Sequence, residues 1–264
     1  MLRHKTQIKP LSARMLNATM PVVASIAVGV AASIAVTGPA TQLNAWGYGT
    51  GIAIIRNLYV PSIVVAALTI LAFFVSLFTA RHRSVVMFLA ANAVTGAALV
   101  PYMFEQRLAA NPFIHDITTD FDSPPQIEAA ADLPRKNPAT YVGAETAPKT
   151  DITIAEAQKA AFSDIQPVVV GTPMDDVAQA SRKIIEEMNM DVLNETQDGK
   201  ILTIEAAFTS FWFGFVDDFV VRIQPSSDDT RIDVRSKSRV GVSDLAANAQ
   251  RVRTFASKLK DATR

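Results

Sequence analysis

The sequence VVMFLAANAVTGAALVPYM at residues 85–103 is the last of three long apolar runs, and the chain changes character after it. The other two runs are residues 20–37 and 61–79, and none of the three contains Asp, Glu, Lys or Arg. A helix rises about 1.5 Å per residue, so each run can cross a hydrocarbon core of roughly 30 Å with slight adjustment at its ends. The sequence therefore predicts that residues 1–110 form a membrane anchor of three transmembrane helices.

Basic residues in the short loops predict the orientation, because Lys and Arg are retained on the cytoplasmic side during insertion. The loop at residues 38–60 carries only Arg56, whereas the basic residues before the first run and between the second and third are Arg3, Lys5, Lys9, Arg14, Arg81 and Arg83. We expect a multi-pass protein of the bacterial cytoplasmic (inner) membrane, with a cytoplasmic N-terminus and a periplasmic C-terminal domain. The first run could instead be a cleaved signal peptide, and the domain would still be exported.

Charge and cysteine content exclude several function classes. Up to Ala110 the chain has eight basic residues and one acidic residue, and the remainder has 17 basic and 24 acidic residues. A net acidic domain is repelled by phosphate backbones, so nucleic-acid binding is not expected. The chain has no cysteine, which excludes disulfides, thiol nucleophiles and Cys-ligated zinc. We expect no cofactor.

The part after the anchor is predicted to contain a connector and a domain. Residues 111–150 are rich in proline, which resists helix and sheet, so they should be extended or partly ordered. Residues 151–264 show clear helical and strand periodicity. Helices are predicted at residues 152–162, from Pro173 onward with Thr172 as the N-cap, and at residues 244–259 with Ser243 as the N-cap. Residues 166–171 form a short β-branched run, and strands are expected at residues 190–196, 201–208, 219–224 and 231–238. The predicted fold class is α+β, an antiparallel sheet of four to five strands with helices on one face.

Three phrases in this region resemble a known family. They are IHDITTD at residues 114–120 with two prolines at 124–125, WFGFVDD at 212–218, and DVRSKSRVGVSDL at 233–245 with Asn248, Arg251 and Arg253. Together they resemble the bacterial and plastid family called domain of unknown function 1499, over about residues 113–259. The resemblance implies an exported or lumen-facing domain and no particular chemistry.

The last phrase suggests an anion site. Side chains alternate along a strand, so Asp233, Arg235, Lys237 and Arg239 should share one face. The start of the following helix should lie near this face. Together they offer five candidates for binding a phosphate, a carboxylate or a partner protein: Arg235, Arg239, Asp244, Asn248 and Arg251. The alternative is a structural ion-pair network that includes Asp218 and locks the last strand to the last helix.

Aromatic residues between Phe208 and Phe219 suggest a contact surface. Both faces of this stretch are apolar if its side chains alternate. One face can enter the core, and the other is covered by the connector or a helix, or else touches the bilayer or a partner protein through Trp212 and Phe213.

His115 is the only histidine outside the cytoplasmic segments. With Asp116, Asp120 and Asp122 it matches no metal-site spacing, so no metal is expected, and its segment is predicted to dock along the domain. An envelope hydrolase would need His115, Asp116 and Ser236 as catalytic residues. The favoured function is non-enzymatic: an anchored exported domain that binds membrane lipid headgroups or envelope and membrane-complex proteins.

Overall fold

The computed structural model describes residues 11–264 and divides the chain into two units between Gln106 and Arg107. Arg3, Lys5 and Lys9, which contribute to the predicted orientation, lie outside the described residues. The first unit holds α1 (Leu11–Ala35), α2 (Thr37–Gln42), α3 (Tyr48–Asn57), α4 (Tyr59–Thr79), a 3-10 turn (Arg81–Arg83) and most of α5 (Ser84–Ala110). Three of these helices, α1, α4 and α5, are long and apolar enough to cross a membrane, as predicted.

Small side chains let α1 and α4 pack closely, and residues of α5 belong to the same apolar cluster. Ala24 and Ala27 of α1, Ala66 of α4 and Ala90 of α5 are buried in one apolar cluster. The buried polar side chains of α4 satisfy themselves within the helix, because each hydroxyl donates to a backbone carbonyl three or four residues earlier; they are Ser62, Thr69 and Ser76. The interior of this unit is therefore free of unpaired hydroxyl donors at these positions.

The second unit is built on an antiparallel sheet of six strands. Its elements are β1 (Asp116–Thr118), α6 (Ile154–Ala161), β2 (Val168–Val170), α7 (Met174–Glu187), β3 (Met190–Asp198), β4 (Ile201–Thr209), β5 (Val216–Ser226), β6 (Asp229–Ser238) and α8 (Ala247–Ala262). The strand order is β1-β6-β5-β4-β3, and β2 also pairs with β6. The α+β prediction is confirmed. The sheet exceeds the expected four to five strands because β1 comes from the proline-rich segment, where no strand was predicted.

One face of the sheet carries the apolar core. Helices α7 and α8 pack against this face, which we call the helix face. Phe219 and Val221 of β5, Val234 of β6 and Phe255 of α8 are fully buried there, and the rings of Phe219 and Phe255 lie 5.3 Å apart. Aromatic contacts of this kind, together with the β-branched residues, supply most of the apolar burial.

The opposite face is covered by residues 119–142, which we call the strap. Ile127 and Ala130 of the strap bury Val220 of β5. The carboxylate of Glu205 accepts hydrogen bonds from the backbone N–H groups of Glu128 and Ala129 at 3.0 Å. Because proline-rich chain has unpaired backbone groups, these side-chain contacts supply partners that a regular sheet would otherwise provide.

Two helix starts differ from the prediction. Helix α8 begins at Ala247, not at residue 244, because Leu245 and Ala246 adopt left-handed backbone angles with φ of 55° and 65°. The carboxylate of Asp244, not the predicted Ser243, accepts from the N–H of Asn248 at 2.7 Å. Thr172 does not cap α7; its hydroxyl donates to the carbonyl of Thr263 at 3.0 Å.

Candidate functional site

The strap-facing side of the sheet holds a buried ion cluster of Asp116, Arg235 and Lys237. Arg235 donates from Nε and Nη2 to the two carboxylate oxygens of Asp116, both at 2.9 Å. Lys237 Nζ lies 2.9 Å from Asp116 Oδ2 and donates to the carbonyl of Thr140 at 2.7 Å. All three charged side chains are fully buried. The cluster therefore joins β1, β6 and the strap through direct, charged hydrogen bonds.

The ionisation of this cluster follows from burial and neighbouring charge. Burial alone would raise the pKa of Asp116, but hydrogen bonding and attraction from Arg235, together with the charge of Lys237, outweigh it and lower that pKa. Burial lowers the pKa of Lys237, although Asp116 opposes the effect. Burial also raises the pKa of Tyr141 to about 12, and the charge of Asp116 adds to this shift. Asp116 is thus held as a carboxylate between cations, which suits a structural role.

Two further ion clusters extend this buried layer. Asp218 lies 2.8 Å from Arg239 and 3.0 Å from Arg135 of the strap. Nearer the other end of β6, two carboxylates and two guanidinium groups interact within 3.2 Å; they are Asp120, Asp233, Arg222 and Arg231. From Arg231 to Lys237, each charged residue of β6 on this side therefore has a partner of opposite charge.

A separate polar network occupies the helix face near the start of α8. Arg251 Nη2 donates to Asp217 Oδ2 at 2.9 Å, and its Nη1 donates to the hydroxyl of Ser236 at 3.0 Å. The Ser236 hydroxyl donates to Asn248 Oδ1 at 2.6 Å. The guanidinium of Arg251 also lies over the ring of Phe208 at 4.4 Å. This network joins α8 to β5 and β6 through side chains that point away from the strap.

The structure does not bring the five predicted anion-binding residues together. Arg235 and Arg239 lie on the strap side of the sheet, where Asp116 and Asp218 occupy them. The other three lie on the helix face or at the start of α8; they are Asp244, Asn248 and Arg251. The expectation of one socket is therefore corrected: α8 packs on the face opposite the charged side chains of β6. The alternative ion-pair network is the better description of Arg239 with Asp218, but Asp244 is not part of it.

The three residues of the hydrolase alternative are also separated. Ser236 is engaged by Asn248 and Arg251 on the helix face, whereas Asp116 is engaged by Arg235 on the strap side. Burial and the charge of Lys237 lower the pKa of His115. Its Nε2 atom is buried with no hydrogen-bond partner within residues 11–264. Among residues 11–264, the hydroxyl of Ser236 therefore contacts Asn248 and Arg251 and no base. Across the described residues, no group of three or more His, Asp or Glu side chains is placed to hold a metal ion.

Asp244 is expected to make stability depend on pH. Burial of its carboxylate raises the pKa to about 6, although the backbone N–H groups of Asn248 and Ala246 oppose this. A folded pKa above the unfolded value means that the contribution is fully present below about pH 4 and lost as pH rises through about 6. Asp244→Asn removes the charge and keeps one of the two acceptor oxygens, since Oδ1 accepts from Ala246 and Oδ2 from Asn248. It should raise the free energy of unfolding at pH 7.5 by roughly 1–2 kcal/mol, a modest figure because the residue is partly exposed.

The measurement is the denaturant midpoint of Asp244→Asn and of the wild type at pH 7.5 and pH 5. The difference in the free energy of unfolding between Asp244→Asn and the wild type should be smaller at pH 5, because the wild-type carboxyl is then largely protonated in the folded state. His115 acts in the opposite direction, since its lowered pKa means that stability is lost as pH falls below about 6.5. Its effect cancels in the difference between the two proteins, and an equal gain at both pH values would contradict the prediction.

The aromatic stretch forms a tight loop between β4 and β5. The Ser210 N–H donates to the carbonyl of Phe215, and the Phe215 N–H donates to the Ser210 hydroxyl, both at 2.8 Å. Gly214 adopts a φ of 67° that favours glycine. The rings of Phe213 and Phe215 stack at 5.1 Å, and Trp212 and Phe213 are only partly exposed. Phe211, in contrast, is 94% exposed. Sequence reasoning missed Phe211 because it applied strand alternation to residues that are not in a strand; the glycine was the available signal of a loop.

This loop lies at one end of the sheet, which we call the tethered end. Thr209 pairs with Val216, Asp217 with Ser238, and Lys237 with Asp116, so residues 210–215, 239–246 and 113–115 meet there. Val242, which is 62% exposed, belongs to the second of these segments. Residues 113–115 lead directly from the end of α5. The tethered end therefore combines the point where the chain enters the sheet with two exposed apolar side chains.

The fold and its buried charges define a class: an α+β domain with a strap-covered sheet, preceded by helices apolar enough to span a membrane. Residues 116–259 match the family described as "Protein of unknown function (DUF1499)", and the match covers more than half of the chain. The chain belongs to this family. A search of curated proteins finds no match.

Proposed function

We propose that the protein is a multi-pass membrane protein whose exported domain binds the lipid headgroup layer through its tethered end. The single observation that carries the proposal is the 94% exposure of Phe211 at that end. Aromatic side chains are favoured at the boundary between water and hydrocarbon. An exposed phenylalanine at the same end of the sheet as the exposed Val242 has a physical use there, whereas in water it is an apolar liability.

The short tether supports lipid contact. The third apolar run ends at Met103, and helix α5 continues to Ala110, adding about 10 Å. Only four more residues reach Ile114, which is buried in the domain core. Even fully extended, four residues span no more than about 14 Å. The headgroup layer is roughly 5–8 Å thick on each side, so even at full extension Ile114 lies no more than about 16–19 Å beyond it. A tilted or bent tether brings the tethered end to the lipid.

The distribution of charge supports the same orientation. Lys136 is exposed beside the end of β6, since its N–H donates to the carbonyl of Arg239. Lys149 lies 3.8 Å over the ring of Phe113, and Glu145 is the nearby acid. At the opposite end of the sheet, where Thr172 contacts Thr263, exposed carboxylates outnumber exposed cations. The carboxylates are Asp175, Asp176, Asp198, Asp228, Asp229 and Asp261, and the cations are Lys200, Lys260 and Arg264. Anionic bilayers repel that end and attract lysines, which favours contact through the tethered end.

The proposal includes the topology and location expected from the sequence. The N-terminus is cytoplasmic, the domain is periplasmic, and the membrane is the bacterial inner membrane, because the basic residues concentrate in the loops assigned to the cytoplasm. Internal pairing of the buried charges favours a structural and binding role over catalysis. Within this role the protein supports the assembly of envelope or membrane complexes.

Lipid contact is tested with spin labels on single cysteines in the full-length protein, which has no native cysteine. In nanodiscs of mixed zwitterionic and anionic lipid, a label at Phe211→Cys should collide more with oxygen than with a water-soluble nickel chelate. The matched control is Val169→Cys, because Val169 is 51% exposed on β2, towards the opposite end of the sheet. That label should favour the nickel chelate. Equal preferences at the two positions would contradict the proposal.

A further inference from the structure

The outer face of α5 carries a polar amide near the middle of the third apolar run. Asn92 is exposed, and it lies only two residues from Val94, the centre of residues 85–103. Two residues of helix correspond to about 3 Å, so Asn92 sits close to the bilayer midplane if α5 crosses the membrane. The membrane crossing of α5 is part of the proposed function, so this inference rests on that function.

The hydrogen bonds of Asn92 are incomplete. Its Nδ2 donates to the carbonyl of Phe88 at 2.8 Å. In the part of the chain that the structure describes, the Oδ1 atom and the second N–H have no further partner. A serine or threonine can satisfy its single donor on its own helix, as Ser76 does, but a primary amide has two donors and an acceptor oxygen. In hydrocarbon, unsatisfied polar groups are costly, so this amide favours a partner from outside the helix.

The residues around Asn92 form a seam with the spacing of a helix–helix interface. Exposed residues recur at alternating intervals of three and four along α5: Val85, Phe88, Asn92, Thr95, Leu99 and Tyr102. Gly96 adjoins this seam, and nothing lies within 4 Å of where its Cβ would be. This is the heptad pattern of paired helices, in which a single polar residue fixes register, and a glycine allows close approach.

We propose that a second copy of this chain packs against this seam, with α5 parallel to α5 and the two Asn92 amides hydrogen-bonded across a two-fold axis. Copies inserted in the same orientation place Asn92 at the same depth without any further requirement. Two amides are also complementary to each other, because the N–H of each can donate to the carbonyl oxygen of the other. A different partner would need its own polar side chain at this depth, whereas a second copy supplies it by symmetry.

The test uses disulfide crosslinking of full-length protein in membranes, where the absence of native cysteine removes background. Leu99 is one heptad beyond Asn92 and is 55% exposed, so Leu99→Cys should give a crosslinked dimer on mild oxidation. The matched control is Leu71→Cys, because Leu71 is 60% exposed on α4. It should give little dimer. Equal crosslinking at the two positions would indicate random collision and would overturn the proposal.

The role of the amide is tested by adding a second substitution to Leu99→Cys. Asn92→Leu should weaken dimerisation roughly ten-fold, since mutual interhelical hydrogen bonds contribute about 1–2 kcal/mol. Asn92→Gln keeps the amide and should retain most of the crosslink. Because Asn92 is exposed within one copy, neither change disturbs its packing. Crosslinking that is unaffected by Asn92→Leu would overturn the proposal.

Failure of this inference can be told from failure of the proposed function. A membrane-impermeant maleimide should not label Leu99→Cys or Leu71→Cys if both helices are embedded in lipid. Labelling at both positions would show that α4 and α5 are not embedded in lipid, and this result would contradict both proposals. A different result separates the two proposals: both cysteines are protected and the spin label at position 211 reports lipid contact, but no crosslink forms at position 99. In that case the proposed lipid contact stands and the dimer is rejected.

Discussion

Replacing Asp116 by Asn is expected to lower the free energy of unfolding of the domain by about 3–5 kcal/mol. Asp116 is the carboxylate between Arg235 and Lys237, and all three are fully buried. Removing the negative charge leaves two buried cations without compensation. A domain of this size has a total stability of about 5–15 kcal/mol, so the loss is a large fraction of it.

The measurement is denaturant unfolding of the full-length protein in detergent, followed by Trp212 fluorescence. Because the chain has two tryptophans, the background substitution Trp46→Phe makes the signal specific to the domain. The control is Glu187→Gln, which removes a carboxylate from an exposed pair with Lys258 and should leave the midpoint nearly unchanged. The strap should also become more sensitive to protease in Asp116→Asn. A midpoint shift no larger than that of the control would show that Asp116 does not hold the strap.

Arg251→Leu is expected to lower the free energy of unfolding by about 3 kcal/mol. The change leaves the buried carboxylate of Asp217 unpaired and removes the donor to Ser236. Leucine replaces part of the packing over Phe208, which keeps the loss below that of Asp116→Asn. The same fluorescence measurement applies.

The matched control for Arg251 is Arg253→Leu, two residues later on the same helix. Arg253 pairs with Asp164, whose side chain is more than half exposed. Exposed pairs contribute little, so the expected change is below about 1 kcal/mol. Similar losses in the two variants would show that Arg251 acts through helix formation and not through its buried network.

Much of the domain fold could be predicted because its strands have clear two-residue periodicity. Alternation along β6 placed Arg235 and Lys237 on one face and Ser236 on the other, which their contacts confirm. Strand β1 could not be found in this way, since it has only three residues. It is a strand because β6 offers an open edge, and that edge lies more than a hundred residues away along the chain.

The candidate site was harder to predict than the fold. The charges of β6 were visible in the sequence, but their partners were not, because the proline-rich strap has no periodicity that indicates which face it covers. Nor does the sequence of α8 state on which side of the sheet the helix packs. Arg235 and Arg251 therefore looked like neighbours, although Asp116 binds one and Asp217 binds the other. Exposure of Phe211 depended likewise on loop geometry.

The pairing of β1 with β6 has a consequence for the order in which the domain forms during synthesis. Asp116 and Arg235 are 119 residues apart, and a chain grows from its N-terminus. Residues 116–118 are therefore made well before the strand that they pair with, and closing so long a loop is entropically costly and slow. The segment that follows α5 must wait for nearly the whole domain. A chain that stops before Asp229 lacks β6 entirely, so it has neither the edge for β1 nor the cations for Asp116.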